Sequence, residues 1–410
     1  MLKKIYLKTF GCRTNLYDSA VMASRLKDFV LVNSENDADI VVVNSCTVTN
    51  SADGTVRGYI SKQNKAGKKV ILAGCGAISK GEELQKSGKV FGVFGHSEKA
   101  NINELLKSNE PFFKLGDLTS LDSDIVQDFS SKTKAFIKIQ EGCDFSCSYC
   151  IIPTVRGKAR SQDESLLLKQ IEKLAYNGFG EFVLTGTNIG SYGKDKGSSI
   201  AKLLKKISQI KGVKRVRLGS LEPSQIDDEF KELLNEDFLE KHLHIALQHT
   251  NEKMLQIMRR RNHLKKDLEL FEYIADKGFA LGTDFIVGHP GESEEIWSDA
   301  LQNFKKFPLT HLHAFTFSKR DGTHSNTLKQ DVKGDIAKER LKILEDIVKQ
   351  NNLNFRKKHS KNLLVLVEEN NTGYDQYYNQ VKITSKDNLH KSWVFLDSVE
   401  VKEDSNYAIF

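Results

Sequence analysis

Short β-rich segments alternate with helical sequence along most of this 410-residue chain, and this alternation limits the possible fold more than any other feature. The first three segments, KIYLKTFGC, IVVVNSC and VILAGC, run directly into Cys12, Cys46 and Cys75. These cysteines are 34 and 29 residues apart, a spacing typical of βα units that build a parallel sheet. Parallel strands lie about 4.8 Å apart, and ligands bind outside their carboxyl ends. We therefore expect the three thiols to converge at one edge of a sheet.

A second series of βα units begins near Lys134. Its strand candidates are AFIKIQ, EFVLTG, RVRLGS, HLHIAL, LGTDFIVG and LHAFTF, which makes six units in roughly 200 residues. A closed eight-unit barrel takes about 250 residues, so the pattern favours an open (β/α)6 partial barrel. Short alternating runs between 362 and 410 predict a small antiparallel β-barrel. The predicted fold class is α/β with this β-barrel appended.

Three domains are predicted from these patterns. Residues 1–118 form an α/β sandwich with a parallel sheet, 130–352 form the partial barrel, and 355–410 form the β-barrel. The stretch 107–132 is the predicted linker between the first two domains, because it contains Pro111 and the polar run TSLDSDIVQDFSSK. Charged helical sequence over 333–358 closes the central domain.

Composition and charge exclude several classes of protein. No run of about 18 apolar residues is present and the N-terminal segment lacks the apolar core of a secretory signal, so we expect a cytoplasmic protein without a membrane span. In a reducing cytosol, the six cysteines are expected to bind metal, act in catalysis or lie buried rather than form disulfides. The net charge of +7 is modest, but it includes seven basic residues and no acid between Ile200 and Arg217, and the run 259–261 is all arginine. Nucleic acid is therefore a candidate partner.

The sharpest motif is EGCDFSCSYC, which places Cys143, Cys147 and Cys150 in C-x3-C-x2-C spacing directly after a predicted strand. Three thiolates within eight residues repel one another unless a cation neutralises them, and sulfur ligands select iron-sulfur clusters or zinc. Zinc would need a fourth ligand, and the nearest histidines, His96 and His242, are distant in sequence. Three thiolate ligands on a [4Fe-4S] cluster leave one iron open for a substrate.

This motif, with a strand before it and six βα units around it, resembles that of the radical S-adenosylmethionine (SAM) enzymes. The resemblance implies that the open iron chelates SAM and that an electron from the cluster cleaves SAM to a 5′-deoxyadenosyl radical. It also implies that Tyr149 contacts the adenine of SAM. The alternative is that Tyr149 is a loop aromatic that packs on the mouth of the barrel.

Polar residues follow several strands of the partial barrel, where the site of such a domain lies. Thr187, Asn188 and Gln248 are candidates to hydrogen-bond SAM, and Gly186 would let the cofactor approach the backbone; alternatively, these residues cap helices. Histidines within the strands are expected to be core or surface residues rather than ligands: His244, His311 and His313.

With Cys143, Cys147 and Cys150 assigned, three cysteines remain, and three is again the number that holds a cluster with an open iron. A radical-SAM core preceded by a three-cysteine α/β domain and followed by a small β-barrel resembles the methylthiotransferase family, which inserts –SCH₃ at an unreactive C–H bond. The resemblance rests on KTFGCRTNLYDSA, VVNSCTVTNSAD, LAGCGA and IKIQEGCDFSCSYCIIPTVRGKARS, and it covers nearly the whole chain. It implies a second [4Fe-4S] cluster, which carries the sulfur, on Cys12, Cys46 and Cys75. One SAM would methylate that sulfur and a second would supply the radical.

Members of this family modify either tRNA, at the adenosine on the 3′ side of the anticodon, or an aspartate in a ribosomal protein. The segments CRTN, CTVTNSAD and RGKARS are most similar to the branch that acts at C2 of N6-threonylcarbamoyladenosine at position 37. The resemblance thus implies a tRNA anticodon stem-loop as partner and an external electron donor such as a flavodoxin or ferredoxin; it does not identify the sulfur donor. A carboxylate on the modified base suits a bidentate arginine, and Arg156 or Arg160 is the predicted contact.

The C-terminal barrel resembles the TRAM domain, which binds RNA in this family. Here residues 359–410 contain five lysines and eight acids, so uniform electrostatic binding by this domain is not expected. We expect the basic segment 202–217 and the arginine run 259–261 to bind phosphates instead. Stacking on bases is assigned to the aromatic residues Tyr374, Tyr377, Tyr378 and Trp393.

Other functions are left open by these patterns. Within the same chemistry, the target would be N6-isopentenyladenosine in tRNA or the ribosomal aspartate. A non-catalytic iron-sulfur protein would bind tRNA and never cleave SAM. A zinc-stabilised structural module would contain zinc and no iron.

Overall fold

The N-terminal region forms one parallel sheet of six strands in a computed structural model that describes residues 2–122, 126, 129, 132–329 and 332–410. The strand order is β2-β1-β3-β4-β5-β6. The central strand carries the run IVVVNS and is buried along its whole length, as expected for a parallel strand covered on both faces. The elements are β1 (Lys4–Thr9), α1 (Arg13–Arg25), β2 (Val30–Leu31), β3 (Ile40–Ser45), α2 (Asn50–Lys65), β4 (Lys69–Gly74), α3 (Cys75–Lys86), β5 (Gly92–Phe94), α4 (Ile102–Lys107) and β6 (Phe112–Lys114).

The predicted linker over 107–132 is too long, because β6 lies inside it. This strand pairs with β5 in parallel, with Gly92 opposite Phe112. A side chain at Gly92 would collide with the Phe112 ring, so the glycine allows the aromatic edge strand to approach. Part of the predicted linker, namely 123–125, 127–128 and 130–131, lies outside the described residues.

The central region forms the predicted six βα units. Two three-stranded parallel sheets, β7-β10-β11 and β12-β13-β14, are joined by single parallel bridges between Val216 and Leu239 and between Leu221 and Ile245. In the described residues, β7 and β14 do not pair with each other, so the barrel is open. The elements are β7 (Ala135–Lys138), β8 (Gln140–Glu141), α5 (Ile152–Arg156), β9 (Arg160–Ser161), α6 (Glu164–Tyr176), β10 (Glu181–Thr185), α7 (Ile200–Ile207), β11 (Arg215–Leu218), α8 (Asp228–Glu232), β12 (His242–His244), α9 (Glu252–Ile257), α10 (Leu264–Asp276), β13 (Ala280–Val287), α11 (Glu294–Phe304), β14 (His311–Thr316) and α12 (Gly334–Lys358).

The C-terminal region forms the predicted small β-domain, and its six strands make one curled sheet, a half-barrel. Its order is β18-β15-β16-β17-β20-β19, and β18 and β19 remain as edges in the described residues. Four of its five pairings are antiparallel, whereas β17 and β20 run parallel because the chain crosses over through β18 and β19. The predicted boundary at 352–355 falls inside α12, a continuous helix that leads from the barrel into this sheet. The strands are β15 (Lys361–Val367), β16 (Thr372–Tyr374), β17 (Gln380–Thr384), β18 (Trp393–Ser398), β19 (Glu400–Val401) and β20 (Asn406–Ile409).

A buried ion cluster joins the N-terminal sheet domain to the barrel. Lys138 of β7 donates to Asp18 of α1 at 2.7 Å, to Asp122 at 2.6 Å and to Glu141 at 2.9 Å. Lys99 donates to both aspartates as well. Since removing one member would leave a buried charge unpaired, this cluster fixes how the two domains sit against each other.

The barrel also binds the C-terminal sheet through buried arginines. Arg215 of β11 donates to the backbone oxygens of Leu364 and Tyr374, and both Arg215 and Arg217 pair with Glu181. Although burial raises the pKa of Glu181, these two guanidinium groups hold it at about 2. The prediction that the whole segment 202–217 binds RNA phosphates is therefore wrong at its C-terminal end, where the arginines are structural.

No helix among the described residues is long and apolar enough to cross a bilayer.

Candidate active site

Cys12, Cys46 and Cys75, here called the edge cysteines, follow the carboxyl ends of β1, β3 and β4. These strands are neighbours in the sheet, and their registers place Thr9 opposite Asn44 and Ser45 opposite Gly74. The three thiols therefore lie at one edge of the sheet, as the βα spacing predicts.

The loops that carry the edge cysteines are in close contact. Gly11 has a φ of +101°, and a Cβ added there would lie 2.6 Å from Cβ of Cys46 and 3.1 Å from its Sγ. The side chain of Asn15 donates to the backbone oxygens of Phe10 and Ser45 at 2.8 and 3.0 Å. Asn44 donates in return to the backbone oxygen of Asn15 at 2.8 Å. These bonds tie the β1 and β3 loops together across the gap between their cysteines.

Cys143, Cys147 and Cys150, here called the loop cysteines, lie on one loop that follows β8. The loop closes on itself, because the backbone N–H of Cys143 donates to Gly157 O at 3.0 Å and that of Cys150 donates to Cys147 O at 3.1 Å. Gly142 enters the loop with a φ of +77°, and a Cβ there would lie 1.9 Å from the backbone oxygen of Lys158. Only glycine fits this entry without moving the backbone.

Both sets of thiols suit an iron-sulfur cluster by the chemistry of their donors. Each offers three sulfurs, and the chain has no seventh cysteine to complete a tetrahedral zinc site. Burial raises the pKa of Cys75 to about 11 and that of Cys150 to about 12. At neutral pH these thiols therefore keep their protons unless a metal cation replaces them. A guanidinium also faces each set: Arg156 Nε donates to Cys75 Sγ at 3.2 Å and Arg260 Nη1 donates to Cys147 Sγ at 3.6 Å.

The residues predicted to bind SAM gather around the loop cysteines. Thr187 donates to the backbone oxygen of Gly142 at 2.6 Å, and Asn188 donates to Cys143 Sγ at 3.5 Å. Gly186 allows close packing here too, because a Cβ there would lie 2.7 Å from the backbone oxygen of Gln140. The turn 186–188 therefore supports the cysteine loop, and its contact with SAM stays a prediction.

The two further candidates are Tyr149 and Gln248. Tyr149 packs against the apolar cluster that contains Met254 and Ile286. The centroids of the Tyr149 and His289 rings are 6.3 Å apart. Gln248 has a φ of +65°, and its N–H donates to the backbone oxygen of Asp284 at 2.8 Å. The structure brings both residues to the carboxyl-end side of the barrel, while their contact with SAM stays a prediction.

The structure gives Arg156 and Arg160 other partners than a substrate. Arg156 is only 1% exposed, and it donates to Asp18 at 2.9 Å, Glu141 at 2.5 Å and Asn15 at 2.5 Å as well as to Cys75. Arg160 donates to three backbone oxygens, those of Ser120, Arg156 and Lys158. The buried Arg156 is therefore fully engaged within the protein, whereas a contact of Arg160 with the carboxylate of a modified base stays a prediction. Proximity to the cysteine motif in sequence suggested these residues, but it could not reveal the distant acids that engage Arg156.

A cavity of about 310 Å³ opens beside Cys12 and extends into the open barrel. Cys12 lines it directly, and so does Gly186, which begins the turn that supports the loop cysteines. Its lining includes Cys12, Arg13, Gly186, Ser220, Asp284 and Tyr378. The place of Arg13 beside Cys12 was visible in the sequence, whereas Tyr378 reaches the cavity only through the fold.

The cationic groups of the cavity differ in their partners. Arg217 is paired with Glu181 and Glu240. Arg13, in contrast, donates to the hydroxyl of Tyr378 at 3.1 Å, and among the described residues it has no carboxylate partner. Burial lowers the pKa of His311 to about 4, so this imidazole adds no positive charge at neutral pH. The cavity therefore holds one arginine available to an anion.

The predicted phosphate-binding and stacking residues are partly used elsewhere. Arg260 is buried beside Cys147 and pairs with Glu222, so the run 259–261 is not a continuous basic surface. The Trp393 ring packs under the Arg215 guanidinium at 4.8 Å, at the interface between the barrel and the C-terminal sheet. Tyr378 stacks on Tyr374 with ring centroids 5.0 Å apart, at the end of the cavity.

Two family models match parts of the chain. Residues 4–95 match the model described as "Uncharacterized protein family UPF0004", and residues 137–303 match that of the "Radical SAM superfamily". A Helicobacter pylori (strain J99) protein named "Putative methylthiotransferase" is 51% identical over the full length of both chains.

More distant relatives have names that specify the nucleoside they modify. "Threonylcarbamoyladenosine tRNA methylthiotransferase MtaB" of Aquifex aeolicus is 32% identical over 92% of this chain and 96% of its own. "tRNA-2-methylthio-N(6)-dimethylallyladenosine synthase" of Fervidobacterium nodosum is also 32% identical, over 89% and 88%. Among solved structures, the radical SAM methyltransferase TsrM of Kitasatospora setae, with cobalamin and a [4Fe-4S] cluster bound, has a TM-score of 0.57 over 80% of this chain and 77% of that one. At 13% identity, this similarity concerns the fold alone.

Proposed function

The chain belongs to the methylthiotransferase family of radical SAM enzymes, whose chemistry uses SAM and [4Fe-4S] clusters, and we propose that it methylthiolates C2 of N6-threonylcarbamoyladenosine at position 37 of tRNA. Its partner is then the anticodon stem-loop of tRNA, and a tRNA substrate places the enzyme in the cytoplasm. An external electron donor such as a flavodoxin or ferredoxin is also required. The family gives the reaction class, and the residues of the cavity support this choice of substrate.

Arg13 is the residue that favours this substrate over the alternatives. Its guanidinium lines the cavity next to Cys12 and has no carboxylate partner in the part of the chain that the structure describes, whereas the threonylcarbamoyl group ends in a carboxylate. A bidentate pair between them would hold the purine beside the edge cysteines. The dimethylallyl group has no charge and would leave Arg13 unpaired in the filled cavity, which disfavours that substrate.

We assign different roles in the reaction to the two sets of cysteines and to the residues that hold them. The edge cysteines would hold one cluster and the loop cysteines the other, where bound SAM supplies the radical and the first cluster supplies the sulfur. Thr187 and Gly142 fix the loop that carries Cys143, and Arg156 fixes Cys75 relative to that loop. A base bound in the cavity beside Cys12, close to the turn that supports the loop cysteines, would be within reach of both centres.

The proposal is tested by mass spectrometry of tRNA nucleosides from a deletion strain. Loss of only the methylthio form of threonylcarbamoyladenosine, restored by the wild-type gene, is the expected result. Restoration by Arg13→Gln should be weak, while Arg57→Gln, which changes an arginine of α2 that does not line the cavity, serves as the control. Loss of the methylthio form of isopentenyladenosine instead would show that the dimethylallyl relative is the better guide. Unchanged tRNA would point to the ribosomal aspartate.

A non-catalytic role as an iron-sulfur RNA-binding protein is separated by a second assay. Anaerobically reconstituted protein given dithionite and SAM should release 5′-deoxyadenosine. A protein that binds tRNA with both clusters in place, yet forms no 5′-deoxyadenosine, would be a binder.

A further inference from the structure

Three adjacent strands of the barrel, β12, β13 and β14, place four histidines, one aspartate and one glycine on one face. β12 reads HLH, the middle of β13 reads GTD and the start of β14 reads HLH. The parallel register places His244 opposite Gly282, Gly282 opposite His311 and Asp284 opposite His313. Because side chains alternate along a strand, the histidines, the glycine and the aspartate all point to the same side of the sheet. That side faces the cavity, which His244, Asp284 and His313 line.

Three side chains of this array, His244 and the pair Asp284 and His313 from the next row, have the dimensions of a metal site. His244 Nε2 lies 3.1 Å from Asp284 Oδ1, and His313 Nδ1 lies 3.6 Å from the same oxygen. One ligand atom from each of the three residues lies within 4.8 Å of the other two. Ligands about 2.0–2.1 Å from a tetrahedral metal lie roughly 3.3–3.4 Å apart, so little movement is needed to place an ion between these atoms.

His244 also has an unsatisfied donor atom. Its buried Nε2 makes no hydrogen bond in the structure, although Asp284 lies close by. The nitrogen and the carboxylate oxygen are close enough to bind one ion together.

Gly282 makes room for this crowding. A Cβ at this position would lie 2.8 Å from His244 Nδ1, 3.1 Å from His242 Nε2 and 3.3 Å from the Cβ of His311. Any other residue in the middle strand would push the imidazoles apart. The glycine therefore belongs to the array and is not a simple strand residue.

A second group of similar composition shows what a structural cluster looks like. Asp18, His96 and Glu141 also lie within ligand distance of one another. Their carboxylates, however, are already neutralised by Lys138 and Arg156, so no charge is left for an ion. The array at Asp284 contains no lysine or arginine ion pair among the described residues.

We propose that His244, Asp284 and His313 bind a divalent transition-metal ion of the zinc or ferrous-iron class, separate from the two clusters. Two imidazoles and one carboxylate are a ligand set that such ions accept. Three protein ligands leave coordination positions open, and these face the cavity, where an oxygen of a bound substrate can complete the shell. This inference depends only on the geometry of the barrel and not on which nucleoside the enzyme modifies. It gives His244 and His313 a role that differs from the one expected from the sequence.

The test is zinc binding by the reconstituted holoenzyme in the absence of tRNA. The protein is freed of loosely bound ions by brief chelation, dialysed anaerobically against a series of Zn²⁺ concentrations, and its zinc, iron and sulfide are measured. We expect one zinc per chain in addition to the cluster iron. His313→Gln should weaken binding by at least about tenfold. Because the His313 side chain is 64% exposed, this variant should fold and keep its iron.

Two more variants complete the experiment. Asp284→Asn should weaken zinc binding at least as strongly as His313→Gln. His390→Gln, an exposed histidine of the C-terminal region, should leave binding unchanged. Wild-type protein without stoichiometric zinc, or equal zinc affinity in wild type and His313→Gln, would overturn the proposal. These outcomes do not depend on methylthiolation, so they are distinct from a failure of the proposed function.

Discussion

The edge cysteines and the loop cysteines present the same three thiols in two different ways. The loop cysteines lie within eight residues of one loop, which local hydrogen bonds and Gly142 hold in shape. The edge cysteines are spread over 64 residues, and only the register of β1, β3 and β4 brings them together. A site of the first kind depends on local backbone geometry, whereas one of the second kind depends on a folded sheet.

The two sets of cysteines also share one structural feature, an arginine that contacts a sulfur. Each has a guanidinium on one of its sulfurs, Arg156 at Cys75 and Arg260 at Cys147. Arg156 belongs to the barrel, six residues beyond Cys150, yet it contacts the sulfur of the other set. The edge cysteines are thus coupled to the loop that carries their counterparts.

The largest difference between the sets should appear when either is removed. Cys143→Ala/Cys147→Ala/Cys150→Ala should abolish both SAM cleavage and methylthiolation, because no cluster iron remains to bind SAM. Cys12→Ala/Cys46→Ala/Cys75→Ala should keep SAM cleavage and lose only methylthiolation. Chromatography of 5′-deoxyadenosine and of tRNA nucleosides checks both. If the second variant also failed to form 5′-deoxyadenosine while retaining its iron, the division of roles would be wrong.

Glycine substitutions should damage each set separately. Gly142→Ala places a Cβ against the oxygen of Lys158, and Gly74→Ala, at a φ of +84°, places one 2.4 Å from Asn44 Oδ1. The left-handed backbone adds about 1–2 kcal/mol in each case. We expect the first variant to lose the cluster of the loop cysteines and the second that of the edge cysteines, as measured by iron content and EPR. Gly67→Ala has a φ of +70° but no neighbour within 4 Å, so it controls for backbone strain alone.

The two arginines should differ in how much stability depends on them. Arg156→Gln leaves Asp18 and Glu141 with fewer partners in a buried cluster, which should cost about 3–5 kcal/mol in the free energy of unfolding. Arg260→Gln removes one pairing, with the partly exposed Glu222, and should cost about 1–3 kcal/mol. Urea unfolding followed by circular dichroism measures both. Equal losses of unfolding free energy in the two variants would mean that the two guanidinium groups contribute to stability only through their contacts with the cysteine sulfurs.

These contrasts show what the sequence could and could not predict. The convergence of Cys12, Cys46 and Cys75 was predictable, because strand spacing and the rules of parallel sheets place their loops at one edge. The burial of Arg156 was not, since its partner Asp18 lies 138 residues away in another domain. The histidine array was equally hidden: the two HLH segments are 69 residues apart and become neighbours only through β13. The open edges of the C-terminal sheet depend on a crossover that alternating sequence does not encode.

The smallest expected effect concerns the protonation of the buried thiols. Folding raises the pKa of Cys75 to about 11 and of Cys150 to about 12, in both cases because burial disfavours the thiolate. The protonated thiols favour the folded cluster-free protein below about pH 9, and this contribution is lost as pH rises through the raised pKa values. Iodoacetamide should therefore label exposed Cys12 well before Cys75 or Cys150 at pH 7.5, with the gap narrowing toward pH 11. Peptide mass spectrometry measures the order, and early labelling of Cys75 would show that the edge of the sheet opens without its cluster.

The central claim is that two independent sets of three cysteines each hold a cluster and that SAM binds to only one. Iron and sulfide analysis combined with EPR of the reduced protein, with and without SAM, tests it most directly. Wild type should hold about eight iron atoms per chain and each triple-alanine variant about four, with SAM changing the spectrum only where Cys143, Cys147 and Cys150 remain. About four iron atoms in wild type, or a SAM-dependent change in the variant that lacks the loop cysteines, would contradict the account.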